Sequence, residues 1–157
     1  MKRMPKPSVK FENHVSAWVQ PPMTGCFSGE LKASTGRIPL GLARFPGSVA
    51  NCSLSAIVGK DNAQALAVAV QFYINDVSVC STPAAVAHVS GEAAQVKTTK
   101  GLAASVTGKT IAVLGSDLTV SEGDILSYAL TLTRTATPTT EIKDVSVMVE
   151  IEPNLPV

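Results

Sequence analysis

The chain has 157 residues, the usual size of one domain, with 45% apolar residues, 16% charged residues and a net charge of +1. A domain of this length can fold without a metal or a disulfide, and its near-neutral charge gives no general case for binding nucleic acid or membrane. No apolar run approaches the roughly 20 residues of a membrane helix, and the basic N-terminus lacks the apolar core of a signal peptide.

Residues 1–36 differ in composition from the rest of the chain. Proline and glycine interrupt regular structure there, so we expect this segment to lie outside the core sheet. Its aromatic content argues against a disordered tail, and four cations precede the first acid, Glu12. We predict an extended arm over 1–36 that lies along a partner, and a β domain over 37–157. Two alternatives remain: a solvated tail, and aromatic residues that pack on their own domain. The aromatic residues of the segment are Phe11, Trp18 and Phe27, and its early cations are Lys2, Arg3, Lys6 and Lys10.

From Arg37 onward the sequence shows the alternation of half-buried strands. Ile38, Leu40 and Leu42 alternate, and Pro39 marks an edge strand or a strand start. Phe45-Pro46-Gly47 predicts a turn. The next strand places Cys52, Leu54, Ala56 and Val58 on one face. Gly59-Lys60-Asp61-Asn62 predicts another turn.

Leu66–Ile74 carries the clearest strand signal in the chain. Every second residue is large and apolar, and the residues between them are small or polar, which is the period of a strand with one buried face. Asn75-Asp76 has turn chemistry, and the alternation resumes at Val77–Val79, so we predict a hairpin. The large apolar positions are Leu66, Val68, Val70, Phe72 and Ile74.

The remaining chain continues the pattern of short strands. Weaker strands are predicted over 83–89 and 96–99, and 91–105 predicts a loop with a short strand or, alternatively, a short helix. Thr110–Val113 predicts a strand, and 120–124 a turn. Two clear alternating strands then follow, from Leu126 to Thr133 and from Val145 to Glu152, separated by a surface loop over 134–141. Seven or eight short strands with frequent turns predict an all-β fold, an antiparallel β-sandwich or jelly roll.

No motif argues for catalysis or for a cofactor. Thr107-Gly108-Lys109-Thr110 is similar to the end of a phosphate-binding loop, but the required glycine is replaced by Ala103, so a hairpin turn is favoured. Nothing in the sequence places His14 or His88 as a base held by an acid and touching a nucleophile, so an ordinary surface or packed histidine is favoured. Two histidines and three scattered cysteines do not form a zinc motif. We predict a non-enzymatic protein with no catalytic, cofactor-binding or metal-binding residues.

Four weaker signals leave alternatives open. Asp117, Glu122 and Asp124 could line a calcium loop, although such residues are ordinary turn formers. Asn51-Cys52-Ser53 fits a glycosylation acceptor, which we interpret as chance. An isolated Tyr73 is thin support for sugar binding. The cysteines, Cys26, Cys52 and Cys80, are odd in number, and we predict that all three are reduced and that the protein assembles in a cytoplasm.

Three stretches resemble small jelly-roll proteins of tailed-phage virions. Leu66–Val79, with its Tyr-Ile-Asn-Asp turn, resembles their central hairpin. Val120–Tyr128, where a Val-Ser-x-Gly-Asp-x-Leu pattern leads into a strand, resembles a second element, and Val145–Pro153 resembles their last strand. The resemblance covers residues 50–153. Trimeric jelly rolls of the tumour-necrosis-factor-like and fibre-tip kinds share the pattern, and the N-terminal arm lies outside it.

The resemblance implies a capsid decoration, or cement, protein. Such proteins sit on the outer surface of the virion head, commonly as homotrimers, and clamp neighbouring major capsid subunits. Within this expectation we assign the partner contact to the arm, where aromatic residues anchor and cations set the register against an acidic shell. The alternatives are a phage tail, baseplate or fibre component of similar fold, and a sugar-binding module that uses loops near Tyr73 or Arg134. The predicted partner-binding residues are Lys2, Arg3, Lys6, Lys10, Phe11 and Trp18.

Overall fold

The computed structural model describes residues 21–59, 65–134 and 140–154. Every regular element within these ranges is a β-strand, so the all-β prediction is confirmed. The strands are β1 Met23–Leu31, β2 Ile38–Leu42, β3 Gly47–Val58, β4 Leu66–Ile74, β5 Val77–Ser78, β6 Cys80–Thr82, β7 Ala84–Ala87, β8 Gln95–Thr98, β9 Lys109–Thr110, β10 Val113–Leu114, β11 Thr119–Val120, β12 Ile125–Arg134 and β13 Ile142–Pro153.

The eight strands of four or more residues form two antiparallel sheets in jelly-roll order. The first sheet runs β1-β13-β3-β8, and the second runs β2-β12-β4-β7. Successive long strands alternate between the two sheets, except that β4 and β7 are neighbours in the second sheet. This crossing of the chain from sheet to sheet is the double Greek key of a jelly roll, so the predicted β-sandwich is confirmed. The short strands extend these sheets, apart from β6 and β10, which pair with each other.

The core lies between the two sheets and comes from the inward face of each long strand. In β4 the five inward residues are almost inaccessible, while the four between them are partly exposed. Across the sheet, β12 contributes Leu126, Tyr128 and Leu130 to the same core. The facing residues of the first sheet include Leu54, Val147 and Val149. Period-two alternation therefore decides which side of each strand is buried, as the sequence indicates.

The first strand corrects the predicted domain boundary. The sequence prediction placed residues 1–36 outside the core sheet, but Met23–Leu31 pairs along β13 from Met23↔Val149 to Leu31↔Ile142. Leu31 is only 1% exposed, and Phe27 packs against the core. A bulge between Phe27 and Glu30 contains Gly29 at a φ of 83°. Because the glycine lies in that bulge, it shapes the strand instead of ending it.

Two weaker predictions are refined. The strand predicted over Thr110–Val113 is wrong as one element, since β9 pairs with β7 and β10 pairs with β6. The backbone amide of Ile111, between them, is held by the Ser105 hydroxyl at 3.1 Å. Residues 91–105 contain the predicted short strand, β8, and no helix. The turn predicted over 59–62 and the loop over 134–141 fall largely outside the described residues.

Candidate functional site

A groove lies where the described chain begins. It has a volume of about 650 Å³ and is open to solvent. Its walls come from Pro21 and Pro22, from Met23 in β1, and from Leu40 and Leu42 in β2. The turn after β11 adds Glu122 and Gly123 at the rim. Arg44, which follows β2, also lines the groove, so the edge strands of both sheets border one concave surface that is apolar in part and carries two charged residues.

The groove carries an apolar side chain that the fold leaves uncovered. Leu42 is 60% exposed, and its cross-strand partner Ile125 is 51% exposed. An exposed leucine is ordinary by itself, but a leucine in the wall of an open groove offers apolar area to any group that enters. The arrangement supports binding and contains no pair of groups suited to proton transfer or nucleophilic attack.

The six predicted partner-binding residues all lie outside the described residues. Their assignment to a partner therefore stays a prediction. The described chain begins at Pro21, in the wall of the groove, three residues after Trp18. His14 also lies outside the described residues. The residues in question are Lys2, Arg3, Lys6, Lys10, Phe11 and Trp18.

The surroundings of Tyr73 do not favour a sugar site. The guanidinium of Arg37 lies 4.1 Å from the centre of the Tyr73 ring and also pairs with the carboxylate of Asp76. The ring face that a sugar would stack on is therefore covered by a cation. Arg134 pairs with Glu141 at 2.9 Å and lies level with Leu66 of β4, about 23 Å along the strand from Tyr73. The structure does not bring Tyr73 and Arg134 together.

The loop that contains Glu122 and Asp124 forms a turn. One carboxylate oxygen of Asp124 accepts from the Ser121 amide at 2.7 Å, and the other accepts from the Asn75 side chain at 3.0 Å. These donors hold the pKa of Asp124 below its usual value. Asn75, at a φ of 46°, also accepts from the Ile125 amide, so the loop and the β4–β5 hairpin are tied together. Within the described ranges, no three His, Cys, Asp or Glu side chains group as metal ligands.

Sequence reasoning missed an ion pair that a buried lysine forms with a partly exposed glutamate. The Lys97 side chain in β8 is 2% exposed, while its neighbour Val96 is 67% exposed, the reverse of what hydrophobicity predicts. Its ammonium pairs with Glu92 and donates to the Ala87 carbonyl at 2.7 Å. The ammonium lowers the pKa of Glu92. Ala87 ends β7 and Glu92 lies in the following loop. The contacts of Lys97 with both residues therefore connect the end of β7 and this loop to β8.

His88 lies beside this pair, and its buried Nε2 has no partner within the described part of the chain. No serine, threonine or cysteine hydroxyl or thiol is hydrogen-bonded to it there, so the histidine is not arranged as the base of a nucleophile. Lys97, Glu92 and His88 are close in sequence, and that is the only sequence signal for this group. The sequence does not reveal which of their side chains point inward.

The remaining sequence motifs are structural. Thr107-Gly108 forms the two-residue turn of a tight hairpin, closed by mutual hydrogen bonds of 2.9 Å between Val106 and Lys109. Gly108 has a φ of 75°, so the hairpin interpretation is confirmed. The Asn51 amide donates to the Glu150 carboxylate at 3.0 Å across two paired strands.

The three cysteines form no disulfide. Cys26 is exposed on β1, whereas Cys52 and Cys80 are buried. A hydrogen bond to Cys80, together with burial, raises the pKa of the Cys52 thiol. Cys52 therefore acts as a packed, neutral side chain, and Cys80 lies hydrogen-bonded beside it.

Comparison with known proteins adds little to this description. No family model matches the chain. No curated protein matches it either. A solved structure titled "Structure of Eiger TNF from S. frugiperda" aligns with 87% of this chain and 97% of its own, at 13% identity and a TM-score of 0.35. The jelly-roll assignment rests on the strand order given above. No helix in the described ranges is long and apolar enough to span a membrane.

Proposed function

We propose that this protein is a virion structural protein, a capsid decoration or cement protein that binds the outside of a tailed-phage head and clamps neighbouring major capsid subunits. The carrying observation is the separation of charge between the N-terminal segment and the sandwich. Residues 1–12 hold four cations and one acid, whereas the rest of the chain holds nine cations and eleven acids. A short basic segment joined to the edge of a near-neutral jelly roll suits contact with an acidic shell.

The pairing of charges within the sandwich supports the same proposal. Glu30 lies between Lys32 and Lys143 at 3.1 and 3.2 Å, Arg37 pairs with Asp76, and Lys97 pairs with Glu92. These cations form ion pairs within the sandwich. The early cations Lys2, Arg3, Lys6 and Lys10 are therefore the ones we assign to a partner, with Phe11 and Trp18 as anchors.

A face of small side chains on the second sheet supports contact with further copies of the chain, which we assign to a homotrimer. Most outward side chains of β4, β7 and β12 are small, apart from Gln71, Tyr73 and Ile125, and register places the small ones side by side, as in Ala69↔Ala85 and Ala69↔Thr131. Such a face lets two sheets or a sheet and an edge approach closely. Closed symmetry would then repeat the basic segment around one axis, so that modest contacts add through avidity. The residues of this Ala/Thr face are Ala67, Ala69, Ala85, Ala87, Ala129, Thr131 and Thr133.

Sedimentation with undecorated heads tests the proposal. The intact chain should pellet with heads, and a chain lacking residues 1–20 should stay in solution. A variant with Lys2, Arg3, Lys6 and Lys10 changed to glutamine should also fail to pellet. The matched control changes four cations of the sandwich to glutamine instead and should pellet as the intact chain does. These four are Lys32, Lys100, Lys109 and Lys143.

Each contrary outcome has a distinct meaning. If the intact chain does not pellet, the capsid proposal fails, and images of labelled particles would show whether it belongs to a tail, baseplate or fibre instead. If the chain lacking residues 1–20 pellets normally, the contact belongs to the sandwich. Equal loss in both charge variants would assign the effect to net charge and not to the segment.

A further inference from the structure

Two of the three cysteines meet inside the sandwich. Cys52 lies on the inward face of β3, in the first sheet, and is 3% exposed. Cys80 is 5% exposed and begins β6, beside β4 of the second sheet, where its backbone amide donates to the Gln71 side chain at 3.1 Å. The two thiols are hydrogen-bonded to each other. Segments that are distant in sequence therefore bring one pair of sulfur atoms together between the sheets.

We propose that Cys52 and Cys80 form a reversible disulfide bond when the folded protein meets a small-molecule disulfide oxidant. Sulfur atoms that are already hydrogen-bonded need only a short approach to reach the S–S bond length of about 2.0 Å. The bond joins β3 of the first sheet to the strand beside β4 of the second, and it closes a loop that contains β4 and β5. Such a cross-link stabilises the fold by restricting the unfolded chain.

Cys80 is the thiol that reacts first. The hydrogen bond from Cys52 and a backbone hydrogen bond from Phe72 lower the pKa of Cys80, whereas the pKa of Cys52 is raised. The thiolate is the nucleophile in such reactions, so the lower pKa favours Cys80. Cys80 also lies in a three-residue strand whose sheet partner in the described chain is the two-residue β10. Such a small element can open locally at low cost, which admits the oxidant.

The reaction proceeds by two thiol–disulfide exchanges. The Cys80 thiolate attacks one sulfur of the oxidant, breaks its S–S bond and releases one thiol. The Cys52 thiolate then attacks the Cys80 sulfur of this mixed disulfide and releases the second thiol. The protein loses two S–H bonds and gains one S–S bond, and the two protons leave with the two released thiols. The protein is oxidised and the oxidant is reduced.

The surroundings of the protein decide which form is present. A cytoplasm keeps thiols reduced, so the three free cysteines predicted from the sequence describe the chain during assembly there. Outside cells the conditions are oxidising, and the pair closes. The inference goes beyond the proposed function and does not depend on it, because it concerns the isolated chain.

Incubation of the folded Cys26→Ser chain with glutathione disulfide tests the pair, because this variant removes the exposed, competing thiol. The mass of the chain should fall by that of two hydrogen atoms, and a peptide map without reductant should show Cys52 joined to Cys80. Tm should rise by roughly 5–15 °C and return to its starting value with dithiothreitol. The matched control adds Cys80→Ala and should show no rise in Tm with the oxidant; circular dichroism checks its fold.

Four results would overturn the proposal. The first is a treated Cys26→Ser chain that still holds both free thiols, counted by alkylation after unfolding in urea. The second is a glutathione adduct on Cys80 that does not resolve into the internal bond. The third is a cross-link between two copies in place of the internal bond. The fourth is a bond that forms when the chain is refolded from urea in the oxidant but never from the folded chain.

Discussion

Replacing Leu31 by alanine tests whether β1 belongs to the sandwich. Leu31 is 1% exposed and lies opposite Ile142 at the end of the β1–β13 ladder. Deleting a buried leucine side chain costs the lost transfer free energy plus a cavity term, which together run from about 2 to 5 kcal/mol. Because β1 is an edge strand and can relax into the space, we expect about 2–3 kcal/mol. That is a large share of the roughly 5–15 kcal/mol that stabilises a typical domain.

Urea unfolding followed by circular dichroism measures this cost. The Leu31→Ala midpoint should fall while the slope stays constant, and Tm should fall by roughly 5–10 °C. The control is Cys26→Ser, a change on the exposed outer face of the same strand, which should stay within about 0.5 kcal/mol of the parent. If Leu31→Ala costs less than the control, β1 does not contribute to the core and the sequence boundary at Arg37 is the better one.

The same strand determines how the N-terminal segment can be removed. A chain lacking residues 1–36 also loses β1, which exposes the edge of β13 and removes Leu31 from the core. Loss of head binding by that chain would therefore report unfolding and not a missing contact. Truncation after residue 20 keeps every described strand, which makes it the informative deletion.

Three further predictions follow from individual contacts. Gly25→Ala should lower the free energy of unfolding in urea by about 1–3 kcal/mol, because its Cβ would lie 2.6 Å from the Tyr128 ring. Gly36→Ala is the control and should be nearly neutral, because no atom lies within 4 Å of its Cβ. Equal costs for the two variants would refute this packing. Because the pKa of Glu92 is lowered, its ion pair stabilises the fold at pH values above the ordinary pKa of 4.5 and loses this effect as the pH falls. Glu92→Gln should therefore reduce the dependence of the unfolding free energy on pH in the acid range. An unchanged pH dependence would contradict the ion pair. A thiol reagent should label Cys26 rapidly and the two buried cysteines only after unfolding; three fast thiols would disprove their burial.

The sequence predicts most of this fold, because alternation is a local property. In β4 and β12 the large apolar residues recur at every second position, so the buried face is evident without any tertiary information. The β4–β5 turn was also predictable, since Asn75 tolerates the left-handed conformation that it adopts. Local pattern and global fold agree in these elements.

Prediction fails where tertiary pairing overrides the local signal. β1 carries glycines at two positions, Gly25 and Gly29, which suggested a non-strand segment, but Gly25 is needed because the Tyr128 ring lies beneath it. β8 turns Lys97 inward and Val96 outward, because the loop over 87–92 supplies a carbonyl and a carboxylate to the buried ammonium. The Gly25 contact depends on a residue far away in sequence, and the partners of Lys97, although only five and ten residues away, reverse the burial that hydrophobicity predicts. The candidate groove, assembled from β1, β2 and a distant turn, was unpredictable for the same reason.

The two contacts in the proposed function differ in physical nature, and salt separates them. Cations on a short segment act through charge, so attachment to heads should weaken steeply as ionic strength rises and the Debye length shortens. The Ala/Thr face carries no charge, so a trimer built on it should persist at the same salt concentration, as sedimentation velocity would show. Ala69→Lys, at the centre of that face, should do the reverse by dissociating the trimer while leaving the basic segment intact. Loss of trimer and attachment together in high salt would mean that one charged surface serves both, which would contradict the division of roles proposed for the segment and the sandwich.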